Sequence, residues 1–123
     1  MKENLNRILV TGASGLIGHA VVRELTEHGY NINAVLKSEN SKIDLKKIDN
    51  INFFYGDICD KEMLQEAMEG CQTVIHLAAL NKLYNKDKQE FYRVNLNGTA
   101  TICKMALDKN ISKFIYISSC EVM

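Results

Sequence analysis

The sequence predicts an α/β fold built on a doubly wound parallel sheet, and three observations carry that expectation. Five short apolar runs, around Leu9, Val35, Phe54, Ile75 and Ile117, alternate with stretches of helical spacing. Strands and helices that alternate in this way build parallel sheets with right-handed crossovers. The first run, Ile8-Leu9-Val10, passes directly into the glycine-rich string Thr11-Gly12-Ala13-Ser14-Gly15-Leu16-Ile17-Gly18, which opens a helix. The fourth, residues 73–77, is apolar almost throughout, as a strand covered on both faces should be. The expected strand order is 3-2-1-4-5, with ligands at the carboxyl ends of strands one and four, where the winding reverses.

Each element follows from local chemistry. The first helix carries Leu16, Ile17, Ala20, Val21 and Leu25 at helical spacing and closes at Gly29-Tyr30. Residues 31–37 read as strand two, and the polar stretch 38–50 as a loop with a short helical turn. Residues 51–55 form strand three, ended by Gly56-Asp57. Asp60 can cap a helix that presents Met63, Leu64, Ala67 and Met68, and Gly70 stands where that helix stops. After strand four and the polar segment 81–88, a long helix places Phe91, Val94, Gly98, Ile102 and Met105 on one face. Residues 114–118 are strand five. No repeat, linker or low-complexity tract divides the chain, so residues 1–123 read as one domain, expected to be incomplete after strand five.

Composition narrows the function classes. A chain of 123 residues suits one core, and 15 basic residues balance 15 acidic ones without a basic block. Nucleic acid and anionic membrane are therefore not expected as partners, since both require a positive field. No stretch reaches membrane-spanning length and no signal peptide is visible. Cys59, Cys71, Cys103 and Cys120 form no CxxC pair, so no metal site is expected, and reduced thiols in the cytoplasm are the expectation.

The glycines at 12, 15 and 18 point to a phosphate-binding corner. Gly12 turns the chain sharply off the strand, Gly15 keeps side-chain bulk away from a pyrophosphate, and Gly18 lets the helix approach the sheet. The helix N-terminus offers unpaired N–H groups and a positive dipole end to the anion. The spacing GxxGxxG differs from the commoner GxGxxG, and the competing reading is an ordinary strand-to-helix turn.

Further strings join this corner: Gly56-Asp57-Ile58, His76-Leu77-Ala78-Ala79, Asn95-Leu96-Asn97-Gly98-Thr99 and Tyr116-Ile117-Ser118-Ser119-Cys120-Glu121-Val122. In this order and spacing the chain resembles, from about residue 7 onward, the cofactor-binding N-terminal part of the extended short-chain dehydrogenases, the NAD(P)-dependent epimerase/dehydratase group. The resemblance implies a Rossmann-type fold and an oxidoreductase, epimerase or dehydratase that moves a hydride at a carbon bearing oxygen. The expected cofactor-binding residues are Gly12, Ala13, Ser14, Gly15, Leu16, Ile17, Gly18, Lys37, Asp57, Ile58, Leu77, Ala78, Ala79 and Asn95. Asp57 can accept a hydrogen bond from an adenine amino group; capping a turn is its competing role. His76, inside an apolar strand, is expected to be packed and hydrogen-bonded rather than catalytic.

The choice of nicotinamide cofactor is a question of charge. NAD-binding relatives place an acid at the end of strand two, where this chain has Leu36 followed by Lys37. A cation there attracts a 2′-phosphate, so NADP is preferred and NAD remains the alternative, with Glu39 as the competing ribose acceptor. The resemblance makes Ser119 the catalytic hydroxyl, with Ser118 its structural neighbour. Glu121 matches a dehydratase acid, but Cys120 stands where the partnering Asp would be. The Tyr and Lys partners of the family's YxxxK helix are expected beyond Ser119. Tyr84 and Lys88 match that pattern only formally, ahead of strand five. These residues are therefore expected to bind cofactor weakly without turning over, with a small-molecule substrate handled by the whole protein and a homodimer left open. A non-catalytic cofactor sensor or interaction protein on the same fold is the alternative.

Overall fold

The computed structural model describes residues 7–13, 15–37, 48–77 and 93–117. Its elements run β1 (Arg7–Thr11), α1 (Leu16–Glu27), β2 (Asn31–Leu36), β3 (Ile51–Tyr55), α2 (Lys61–Met68) and β4 (Thr73–His76). A π-helical turn (Arg93–Gly98) then leads into α3 (Thr99–Asp108), and β5 (Lys113–Tyr116) follows. The strands form one sheet of order β3-β2-β1-β4-β5 with every pairing parallel. β1 is flanked by β2 and β4, with Thr11 in register with Val35 on one side and His76 on the other. The order is the one expected from the alternation of strands and helices.

The sheet is apolar on both faces, which is why its strands read as nearly continuous hydrophobic runs. Ile8, Val10, Ile32, Ala34, Leu36 and Ile75 pack with Val22 of α1 on one face. On the other, Leu9, Val35 and Val74 meet Met63, Leu64, Ala67 and Met68 of α2 and Ile102 and Ala106 of α3. The two-residue period of a strand sorts neighbours such as Leu9 and Val10 to opposite layers. α2 starts at the expected cap: Asp60 accepts the Met63 N–H at 3.2 Å, and all four of its expected apolar residues are buried.

One buried amide joins several elements. Asn33 Oδ1 accepts from Arg7 at 2.9 Å and from Asn52 at 3.3 Å, while Nδ2 donates to the Ala67 carbonyl at 2.7 Å and reaches Cys71 Sγ at 3.5 Å. A buried polar group is tolerated when its bonding capacity is filled in this way.

The differences from expectation are local. Strands two, four and five each end one or two residues early, at Leu36, His76 and Tyr116, and β5 begins one residue early at Lys113. Leu16 and Ile17 do not face the core: they are 91% and 58% exposed. Gly18 and Val22 are the buried residues of that helix. The expected long helix after β4 is π-wound over Arg93–Gly98 before it becomes α3, and the buried positions Gly98, Ile102 and Ala106 retain α spacing. Phe91 and the 38–47 part of the expected loop lie outside the described residues. No helix among the described residues is long and apolar enough to cross a membrane.

Candidate cofactor-binding site

Because every pairing is parallel, the segments that follow β1, β2, β3, β4 and β5 all leave one edge of the sheet. That edge carries Gly12–Gly18, Lys37, Asp57-Ile58, Leu77 and Ile117. The three glycines of the corner have different constraints. Gly12 has φ +69°, a left-handed conformation that favours glycine. A Cβ on Gly18 would collide with the Gly12 carbonyl group and stand 3.0 Å from Ala13 Cα, so α1 is seated directly on the loop. Gly15 has no such internal constraint: its φ is −73°, and a Cβ would make only ordinary contact, 3.5 Å from the Gly12 oxygen. Among the described residues, its chain neighbours apart, that oxygen is the only atom within 4 Å of the position.

Gly15 is also the N-cap of α1, and it provides no side-chain cap. Its N–H bonds the Gly12 carbonyl at 3.1 Å, and its own carbonyl accepts the His19 N–H at 2.8 Å. The first-turn amides of a helix have no acceptor within it, so this uncapped terminus presents donors and the positive end of a dipole. Leu16 and Ile17 stand exposed beside it, while Ala13 is fully buried and can offer a ligand only its backbone.

The neighbouring loops are held by short bonds. The Asp57 carboxylate accepts the Cys59 N–H at 2.8 Å, so the turn-capping role is realised. The Ile58 side chain is buried, and its Cγ2 lies 2.6 Å from where a Cβ on Gly98 would stand. Ile58 thus directs its side chain to the core. Lys37 is exposed immediately after β2. Asn95 belongs to the π-helical turn by its backbone. Ser14, Ala78, Ala79 and Ser119, with Glu39, Tyr84, Lys88, Ser118, Cys120 and Glu121, lie outside the described residues.

Under the corner lies a cluster whose connections the motifs do not reveal. His76 is fully buried; Nδ1 lies 2.8 Å from Thr11 Oγ1 and Nε2 lies 3.0 Å from Thr99 Oγ1. Thr11 Oγ1 also accepts the Leu77 N–H at 2.9 Å. Burial pushes the imidazole pKa down to about 4, so the ring is neutral at pH 7. Tyr116 stacks on it with ring centroids 5.4 Å apart. The packed, hydrogen-bonded histidine expected from the sequence is what the fold contains; its two threonine partners were not anticipated.

A doubly wound parallel sheet with a glycine corner at its reversal point defines a Rossmann-type α/β domain. Residues 8–123 match the NAD dependent epimerase/dehydratase family, and the chain belongs to it. It is 35% identical over 117 residues to the decarboxylating sterol-4-alpha-carboxylate 3-dehydrogenase of Mus musculus, covering 93% of this chain and 30% of that protein. Among solved structures it is similar to the UDP-glucose 4-epimerase of Thermotoga maritima with UDP-glucose, at 28% identity and a TM-score of 0.79, over 92% of this chain and 38% of that one. A UDP-glucose-4-epimerase from Stenotrophomonas maltophila with bound NAD has 25% identity and a TM-score of 0.82, over 94% of this chain and 38% of the other. The chain spans about a third of the length of the curated relatives it matches.

Proposed function

We propose that residues 1–123 form the NAD(P)-binding domain of an oxidoreductase, epimerase or dehydratase that transfers a hydride at a carbon bearing oxygen. The observation that carries this reading is the difference among the glycines. Gly12 and Gly18 are required by the loop's own geometry, whereas Gly15 leaves open space in front of an uncapped helix terminus. An anionic diphosphate fits that combination of bare amides and absent bulk. Gly12 and Gly18 then shape the cradle, and Gly15, Leu16 and Ile17 line it with backbone amides. Ser14, Ala78, Ala79, Leu77 and Asn95 extend the binding surface, as the family resemblance implies.

Asp57 holds its loop through the Cys59 amide and supports an adenine contact from the same turn, with Ile58 contributing backbone. Lys37, exposed at the end of β2, favours NADP over NAD through attraction to a 2′-phosphate. The nicotinamide supplies the hydride chemistry when bound, and Ser119 donates a hydrogen bond to the substrate oxygen. The substrate is a small molecule of the sugar-nucleotide or carbonyl class. Turnover by residues 1–123 alone is not expected, since the Tyr and Lys that complete the family's proton transfer are not among them.

Calorimetric titration of the chain with NADPH, NADP, NADH and NAD tests the reading. Saturable binding that Gly15→Val abolishes supports it. Binding that survives Gly15→Val would show that the diphosphate does not sit at this corner, and no binding by any of the four would remove the proposal.

A further inference from the structure

Three segments that carry proposed cofactor contacts meet through one imidazole. Thr11 ends β1 and begins the glycine loop, Leu77 leaves β4 at the same edge, and Thr99 is the first residue of α3 after the π-helical turn. Thr11 Oγ1 receives the Leu77 N–H and lies against Nδ1 of His76; Nε2 on the far side of the ring lies against Thr99 Oγ1. One residue before Thr99, Gly98 packs on Ile58, so the same junction touches the Asp57-Ile58 loop. The bonds at Thr11 and Thr99 span 65 and 23 residues of sequence.

We propose that His76 is a positioning residue for the cofactor: as a neutral ring with its proton on Nε2, it sets the distance between the glycine corner and the π-to-α junction of helix α3. The inference rests on the cofactor-binding reading above and adds a residue that touches no cofactor. Thr11 Oγ1, accepting from Leu77, turns its own proton toward Nδ1; the ring then donates from Nε2 to Thr99. This polarity gives each end of the imidazole one defined role and makes the ring a spacer between the two hydroxyls. The π-helical winding matters for the same reason. A π turn is a costly local geometry that recurs where a helix must deliver particular residues, and here it ends at the point the histidine grips. The junction is clasped from the side of β4 by the imidazole and from the side of β3 by Ile58. A shift of α3 would therefore move the Asn95 turn away from both the diphosphate corner and the adenine loop.

The test separates position from stability. Thr99→Val keeps the shape and removes the acceptor, Thr99→Ser restores the hydroxyl, and Ile102→Val removes buried methylene from the same helix without touching the ring. Each variant is titrated with NADPH and NADH and melted in parallel. Thr99→Val is expected to weaken binding roughly five- to tenfold, the worth of one buried hydrogen bond, with Thr99→Ser close to the parent. Ile102→Val is expected to melt earlier while binding normally. Long-range nitrogen-15 correlation of the histidines at pH 7 is expected to show the His76 proton on Nε2 alone. If the parent binds and Thr99→Val binds equally well, or if the proton resides on Nδ1, the positioning role is overturned. If Thr99→Ser loses as much affinity as Thr99→Val, the hydroxyl is not the operative group and the proposal also fails. A parent chain that binds neither cofactor overturns the cofactor reading itself, and this inference with it.

Discussion

The Gly12 carbonyl oxygen fills the space that a Cβ on Gly18 would need, so the loop and the first turn of its helix are in direct backbone contact. The helix terminus is thereby fixed with respect to the strand, and the position of Gly15 between them becomes a property of the backbone rather than of a side chain.

Two substitutions three residues apart should therefore separate folding from binding. Gly18→Ala forces a methyl group against backbone that cannot move aside, and a loss of about 1–3 kcal/mol or more in urea unfolding is expected. Gly15→Ala meets only an ordinary 3.5 Å contact and should cost less than about 1 kcal/mol, while cofactor affinity falls at least tenfold. Equal effects of the two on stability would contradict the assignment of their roles.

Lys37 is exposed immediately after β2. Lys37→Asp should lower the NADPH-to-NADH affinity ratio roughly tenfold or more, the scale of a charge-assisted hydrogen bond lost and a repulsion gained. Calorimetry in low and high salt reads the ratio. A ratio that is unchanged by the substitution at either ionic strength removes Lys37 from cofactor choice.

Stability should depend on acid through His76. Its pKa falls from 6.5 to about 4 on folding because burial disfavours the charged ring, so between those values the unfolded chain holds a proton that the folded chain lacks. Unfolding is therefore assisted as pH falls: the contribution is complete above pH 6.5 and is lost progressively toward about 4, at up to about 1.4 kcal/mol per pH unit. Urea melts across this window should show a shallower dependence in His76→Asn than in the parent. Identical slopes would mean that His76 is not the titrating group.

Cys71 should be the slow thiol. Burial pushes its pKa up to about 11, against the opposing pull of the Arg7 guanidinium and the hydrogen bond from Asn33. Little thiolate exists in the folded state, and the sulfur is buried besides. Mass spectrometry after brief alkylation at pH 8 should find the partly exposed Cys103 modified well before Cys71. Comparable rates at the two positions would show that the Cys71 environment opens readily.

The parts of this architecture that could be read in advance are those whose cause is local. Gly12 and Gly18 declare themselves because turning and close approach both demand glycine, and Asp60 because a helix start needs an acceptor. The strand order follows from alternation and winding, with Leu9 and Val10 apolar in succession because both faces are covered. Other features depend on partners far away in sequence. Nothing in Thr11 or Thr99 alone announces that they meet across His76. The π winding before Thr99 is equally silent, since the spacing of Gly98, Ile102 and Ala106 downstream is that of any α-helix. Leu16 and Ile17 depart from the periodicity because an apolar residue at a helix tip can face outward as well as inward. Asn33, an amide in a buried strand, gains its meaning only when Arg7, Asn52 and Ala67 surround it.

The Asn33 amide has a mechanical consequence. By bridging two neighbouring strands and the end of α2 with bonds that leave neither of its polar atoms idle, it makes the end of the sheet remote from the glycines behave as a floor. Sliding β2 past its neighbours would break these bonds together. Their shared loss makes such a slide costly, which gives the domain a fixed base.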